Sequence, residues 1–144
     1  MGLDRIFGVA GSALNAQTSR LNTIASNLAN ANSVASSEQD AFRAKRTVFK
    51  AVLDEQMGGQ GGQAGPYTGG VKIQSLTDDP SPVRRVYEPG SPMADKEGYV
   101  YASNVNEMTE MVEMMAASRS YQNNVEVVNT ARQLMMRTLD IVRS

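Results

Sequence analysis

The run Met111-Val112-Glu113-Met114-Met115-Ala116-Ala117-Ser118-Arg119-Ser120-Tyr121-Gln122-Asn123-Asn124-Val125-Glu126-Val127-Val128 decides the fold, because its apolar side chains recur at helical spacing. Extended to the chain end, Met111, Met114, Ser118, Tyr121, Val125, Val128, Arg132, Met135, Leu139 and Val142 form one seam of alternating three- and four-residue steps. A second row, Val127, Ala131, Leu134, Thr138 and Ile141, widens the apolar face beyond a two-stranded coiled-coil stripe, so this helix expects more than one neighbour. Asn104 with Glu107 three residues on reads as its N-cap, and Glu107, Glu110 and Glu113 near the start oppose Arg137 and Arg143 near the end, as the helix dipole favours.

A helix from about Val105 to Val142 would run roughly 55 Å at 1.5 Å per residue, nearly twice the ~30 Å diameter of a small domain. Its face cannot be hidden inside one short chain, and an exposed apolar stripe of that length is an aggregation hazard unless other molecules cover it. The amino-terminal region repeats the pattern: Leu3, Phe7, Ala10, Leu14, Gln17, Leu21, Ile24 and Leu28 make a second seam that ends in the Asn-rich run Asn27, Asn30, Asn32, Ser33. Two helical ends that share a seam predict a coiled-coil-like pair.

Between them the composition changes. Residues 57–70, rich in glycine, read as a flexible loop, and Thr47–Leu53, Val71–Leu76 and Val83–Tyr87 as short strands with turns at Pro80, Pro82, Pro89, Gly90 and Pro92. The expected fold is mainly α with a small β-rich insert, divided into an N-terminal helix over 1–32, a β-rich middle over 33–103 and a C-terminal helix over 104–144.

Composition narrows function by exclusion. The 144 residues include no cysteine and no histidine, which removes the commonest general base, the best nucleophile and the usual transition-metal ligands. Lys plus Arg number 14 against 15 Asp plus Glu, so no basic field exists to attract nucleic acid. The start Met1-Gly2-Leu3-Asp4-Arg5-Ile6-Phe7 lacks the basic segment and long apolar run of a secretory signal, and no apolar stretch reaches the roughly 18 residues that span a bilayer. Asp78-Asp79 and Asp95-Lys96-Glu97-Gly98 read as turns, since neither has calcium-loop spacing. Arg84-Arg85 and Arg43-Ala44-Lys45-Arg46 read as solvated strand faces or inter-subunit salt bridges. The clustered methionines read as packing surface adaptable to inequivalent contacts. No phosphate loop, nucleophile elbow or dinucleotide fingerprint is present, so the chain is expected to be neither an enzyme nor a cofactor carrier.

Both ends resemble the axial proteins of the bacterial flagellum, the rod and hook family. The segment Leu21-Asn22-Thr23-Ile24-Ala25-Ser26-Asn27-Leu28-Ala29-Asn30-Ala31-Asn32-Ser33 is similar to the family's amino-terminal signature, and Ala117-Ser118-Arg119-Ser120-Tyr121-Gln122-Asn123-Asn124-Val125-Glu126-Val127 to its carboxyl-terminal one. The short length and the segment from Val86 to Val100 resemble the proximal rod members. The resemblance implies a structural subunit of the rod in the basal body, passing through the periplasm. Such a subunit transmits torque from motor to hook, and its terminal helices pack in a tube around an export channel. Implied partners are other rod proteins and copies of the chain itself, with the membrane-embedded ring as neighbour. The flagellar type III apparatus would export it without a cleaved signal peptide, and neither nucleic acid nor direct membrane insertion is implied.

Carried over position by position, the resemblance marks Leu14, Leu21, Ile24, Leu28, Val125, Val128, Met135 and Leu139 as packing positions of the assembly interface. Asn27, Asn30, Arg119, Tyr121, Asn124 and Asn129 become candidate polar contacts between helices. A competing expectation is a cytoplasmic helical adaptor or export chaperone.

Overall fold

The computed structural model describes residues 2–52 and 69–143, with element order helix, strands, helix. Helix α1 spans Gly2–Ala29 and α2 spans Glu107–Arg143. They lie antiparallel: Arg20 pairs with Glu113, Asn27 with Glu110 and Asn32 with Glu107, while Ile6 sits beside Val127, Ala131 and Leu134. From this register, roughly the last two and a half turns of α2, about 13 Å at 1.5 Å per residue, run past the start of α1.

The α1 seam holds. Ala10 and Ile24 are buried and Phe7, Leu14, Gln17, Leu21 and Leu28 are half-buried. On α2 the paired face is rotated from the expected one. The innermost row is Glu110, Ala117, Asn124 and Ala131, in steps of seven, flanked by Met114, Val128 and Met135, while Met111, Arg132 and Leu139 of the expected seam are exposed. The reason is size: with Ala10 and Ala16 of α1 also buried, alanines occupy the contact and let the helices approach closely.

The helix cap also differs. Asn106, not Asn104, accepts from the Thr109 N–H through Oδ1 at 3.1 Å, and its carbonyl receives the Glu110 N–H at 3.0 Å.

Among the described residues, five strands form the insert, in two sheets. β1 (Val34–Ala35), β5 (Tyr99–Ala102) and β4 (Arg84–Tyr87) make an antiparallel sheet in the order β1-β5-β4. β2 (Lys45–Val52) and β3 (Gly70–Asp78) make an antiparallel hairpin with a bulge between Val48 and Phe49. β1 and β5 were not expected from local pattern. The expected Gly-rich loop lies over 57–68 outside the described residues, as does Leu53, and Gly70 opens β3 rather than closing a loop.

The hairpin lies along α1. The Val71 N–H donates to Ser12 Oγ at 3.1 Å, and a Cβ at Gly70 would stand 3.1 Å from that same oxygen, so the close approach suits a glycine. A second glycine is fixed by its backbone: Gly98, at φ +84°, turns the chain after Asp95, whose Oδ1 accepts from the N–H groups of Glu97 and Tyr99, both at 2.9 Å. Those two donors, Tyr99 first, together with Arg85, hold the Asp95 carboxyl below its ordinary value of 3.8. Of the two expected acidic turns, the one at Asp95–Gly98 exists as a turn, whereas Asp78 ends strand β3, paired with Lys45, and Asp79 follows it. The small apolar core, Ala31, Ala44 and Val105 with Phe42 packed on it, sits where α1 ends, β2 begins and α2 begins.

Candidate assembly interface

At that junction a buried polar cluster joins four stretches of chain. Asn27 is wholly buried on α1, and its carboxamide pairs with the backbone of Lys45 like a strand residue, donating to the carbonyl at 2.9 Å and accepting from the N–H at 2.8 Å. The same Nδ2 donates to Glu110 Oε2 at 3.0 Å. Glu110, also wholly buried, accepts on its other oxygen from Arg46 Nη1 at 2.7 Å. Arg46 reaches on through Nε and Nη2 to Asp79 Oδ2, each at 3.3 Å.

Hydrogen bonding from Ser81, through both side chain and backbone, and then Arg46 hold the Asp79 carboxyl below its ordinary 3.8. Asn104 closes the cluster, accepting from the Ala44 N–H at 2.7 Å and donating to the Ser81 carbonyl at 2.9 Å. A buried carboxylate survives here because each of its oxygens has a donor and one donor is a cation.

Away from the junction the large apolar side chains face outward. Met108, Met111, Val112 and Met115 are more than half exposed on the side of α2 away from α1. Leu134, Met136 and Leu139 are likewise exposed toward the overhanging end, and Ile6 with Val127 and Leu134 lines a shallow apolar groove between the helices. In the Gln17 side chain, half-buried on the α1 seam, Oε1 is enclosed and has no hydrogen-bond partner among the described residues.

The expected interface residues divide between these settings. Ile24 is buried in the helix pair, and Leu14, Leu21, Leu28, Asn124, Val125, Val128 and Met135 are half-buried along it. Arg119, Tyr121, Asn129 and Leu139 are on exposed faces. Asn27 does bridge the helices, but the Asn30 side chain turns back to its own helix, donating to the Ser26 carbonyl at 2.8 Å. Missed by sequence reasoning were Glu110 as a buried group, Arg46 and Asp79 as its anchors, and Asn104 as a strand-to-loop brace. The available signal was Glu110 itself, a charge in line with Ala117 and Ala131 on one helix row.

Among the described residues, no group of three or more metal-ligating side chains exists and no helix is long and apolar enough to cross a membrane. A cleft of about 470 Å³ beside the cluster, lined by Arg20, Thr23, Arg46, Phe49, Glu110 and Glu113, pairs its charges internally and presents no nucleophile with a base.

Comparison with known proteins gives a consistent outcome. Residues 7–35 match the family model for flagella basal body rod protein, and residues 96–141 match that for the flagellar basal body rod FlgEFG protein C-terminal region. The chain is 50% identical over 141 residues to the flagellar basal-body rod protein FlgC of Yersinia enterocolitica, covering 98% of each chain. Identity to the FlgC of Salmonella typhimurium is also 50%, over 98% of each chain. To the FlgC of Bacillus subtilis it is 33% over 144 residues, covering 92% of this chain and 93% of the relative.

Proposed function

Because the chain belongs to the flagellar basal-body rod protein family, we propose that it is a structural subunit of the proximal rod, built into the basal body by its two terminal helices. The observation that carries the reading is the arrangement of the helix pair: alanines fill its inner face and methionines, leucines and valines lie on its outer faces. A protein that worked alone would bury the larger side chains, since each contributes about 1.5–3 kcal/mol when removed from water. Outer faces of this kind suit a helical tube in which each pair is covered by its neighbours, other rod proteins and copies of the chain itself.

In this reading, residues 1–32 and 104–144 form the tube domain and 33–103 the outer β-rich domain. The tube carries torque from motor to hook and encloses the export channel. The subunit crosses to the periplasmic side through the flagellar type III apparatus without a cleaved signal, and the ring in the membrane is its neighbour. Leu14, Leu21, Ile24, Leu28, Val125, Val128, Met135 and Leu139 pack the tube, with Asn27, Asn30, Arg119, Tyr121, Asn124 and Asn129 as its polar contacts. Its work is mechanical, and no catalytic role is assigned to it.

Cryo-electron microscopy of purified basal bodies tests this. Density for the chain in the proximal rod, with both helices in the tube wall, is the expected result. Its absence from the rod would favour the cytoplasmic adaptor or export chaperone instead.

A further inference from the structure

The inner face of the helix pair does not by itself fix how far one helix slides along the other. Its central α2 row, Glu110, Ala117, Asn124 and Ala131, repeats every seven residues, and so does the flanking row Met114, Tyr121, Val128 and Met135. Sliding α2 by one heptad, about 10.5 Å, would put Ala117 in the place of Glu110 and Ala131 in that of Asn124, with Asn124 taking the place of Ala117. It would also draw the overhanging end of α2 back alongside α1. Against such a slide stand the β1–β5 pairing and the Val105 core, which tie the end of α1 to the start of α2, and, inside the pair, one buried polar feature. The carboxylate of Glu110 is held by Asn27 at 3.0 Å and Arg46 at 2.7 Å, while Asn27 and Arg46 are themselves tied to the hairpin and to Asp79.

We propose that Glu110 is a register pin: a buried positioning residue whose two hydrogen bonds favour one of two heptad-related helix alignments and so help keep the end of α2 extended. A slide by one heptad leaves Asn27 without its acceptor on α2 and takes away the partner of Arg46 Nη1, leaving the guanidinium to Asp79 alone. It also moves a carboxylate out of the one place where donors await it. A single buried polar group that sets register at some cost in stability is a known device in helical pairs. Arg20 and Glu113 add a second, half-exposed ion pair in the same alignment, which solvent weakens. The value of a fixed overhang to neighbouring subunits rests on the rod reading above, but the alignment itself does not.

The chain has no cysteine, so paired cysteines report alignment without background. In the purified full-length chain, Arg20→Cys with Glu113→Cys reports the observed register, and Arg20→Cys with Ser120→Cys the slid one. Each pair is joined by a short bifunctional thiol reagent while circular dichroism monitors helix content. With Glu110 present, only the first pair should link.

Glu110→Ala should raise linkage of the second pair roughly tenfold or more relative to the first, the shift expected from losing hydrogen bonds to a charged group. Glu110→Gln, which can still accept from Asn27, should leave the first pair dominant. If Glu110→Ala loses helix content, Glu110→Leu, which fills the site without the polar anchor, is read in its place. Linkage of both pairs in the unsubstituted background, or persistence of the first pair alone in Glu110→Ala or Glu110→Leu, overturns the proposal. The assay uses the isolated chain, so it fails or succeeds independently of the cryo-electron microscopy result.

Discussion

Replacing Asn27 by alanine should destabilise the chain by about 2–5 kcal/mol. The substitution removes two donated bonds, to the Lys45 carbonyl and to Glu110 Oε2, and one accepted from the Lys45 N–H. It leaves the Lys45 peptide groups and one carboxylate oxygen enclosed without partners, at about 1–3 kcal/mol for each unsatisfied buried group. Some recovery through water entering the space left by the carboxamide brings the sum to the lower part of that range. Since small domains hold only about 5–15 kcal/mol in total, such a loss should lower the urea midpoint substantially with an unchanged m-value, followed by far-ultraviolet circular dichroism. Asn27→Asp should be worse than Asn27→Ala, because it exchanges the donor for a second carboxylate against Glu110. A change below about 0.5 kcal/mol for alanine, or an aspartate variant as stable as the parent, would show that the cluster does not hold the junction together.

Other perturbations probe separate places. Gly98→Ala should lower Tm, at about 1–3 kcal/mol, because φ is +84° and a Cβ would stand 2.9 Å from Tyr87 Cε2 and 3.2 Å from Pro89 Cβ; an unchanged melting curve would contradict the turn geometry. Gln17→Leu should raise the urea midpoint, by about 1 kcal/mol, since Oε1 is enclosed without a partner; a loss of stability would mean the carboxamide is satisfied after all. The Asp95 carboxyl lies below its unfolded value of 3.8, so the stability it contributes is complete above that pH and is lost as pH falls through the folded value. Acid unfolding should therefore steepen below about pH 3.8 in the parent and less so in Asp95→Asn; identical acid slopes would remove Asp95 from the balance.

What the sequence made legible is what local periodicity controls. Both long helices follow from apolar spacing, because a helix's contacts within one face are set by residues three and four apart. Strands β2 and β3 were legible from their β-branched and aromatic residues, though not their pairing. β1 and β5 were not, because two and four residues carry little intrinsic preference and exist by pairing across the chain, Val34 with Ala102 and Ala35 with Tyr101. The rotation of α2 escaped for a related reason. Periodicity ranks faces by apolarity, whereas close packing chose the row with Ala117 and Ala131, and the more apolar rows were left outside. Glu110 was read only as a charge complementing the dipole at a helix start, because its partners Asn27 and Arg46 lie far away in the chain and no spacing rule links them.

These observations together explain why the polar cluster matters more here than in a compact domain. Among the described residues, nine of the buried hydrophobic ones are alanine, at 10, 16, 31, 35, 41, 44, 102, 117 and 131, and only Ile24, Val100 and Val105 are branched. An alanine removes far less apolar surface from water than a leucine, and burial is worth about 25 cal/mol per Å². Such a core is weakly stabilising and, being smooth, weakly specific. Hydrogen bonds with fixed direction then carry much of the alignment, and in the proposed rod reading the larger share of apolar burial is left to surfaces that other subunits would cover. Substitution of an outward methionine such as Met115 by a polar residue should accordingly cost the isolated chain less than about 0.5 kcal/mol, yet weaken incorporation into basal bodies. Equal loss in both measurements would show that the outer faces serve the fold rather than the assembly.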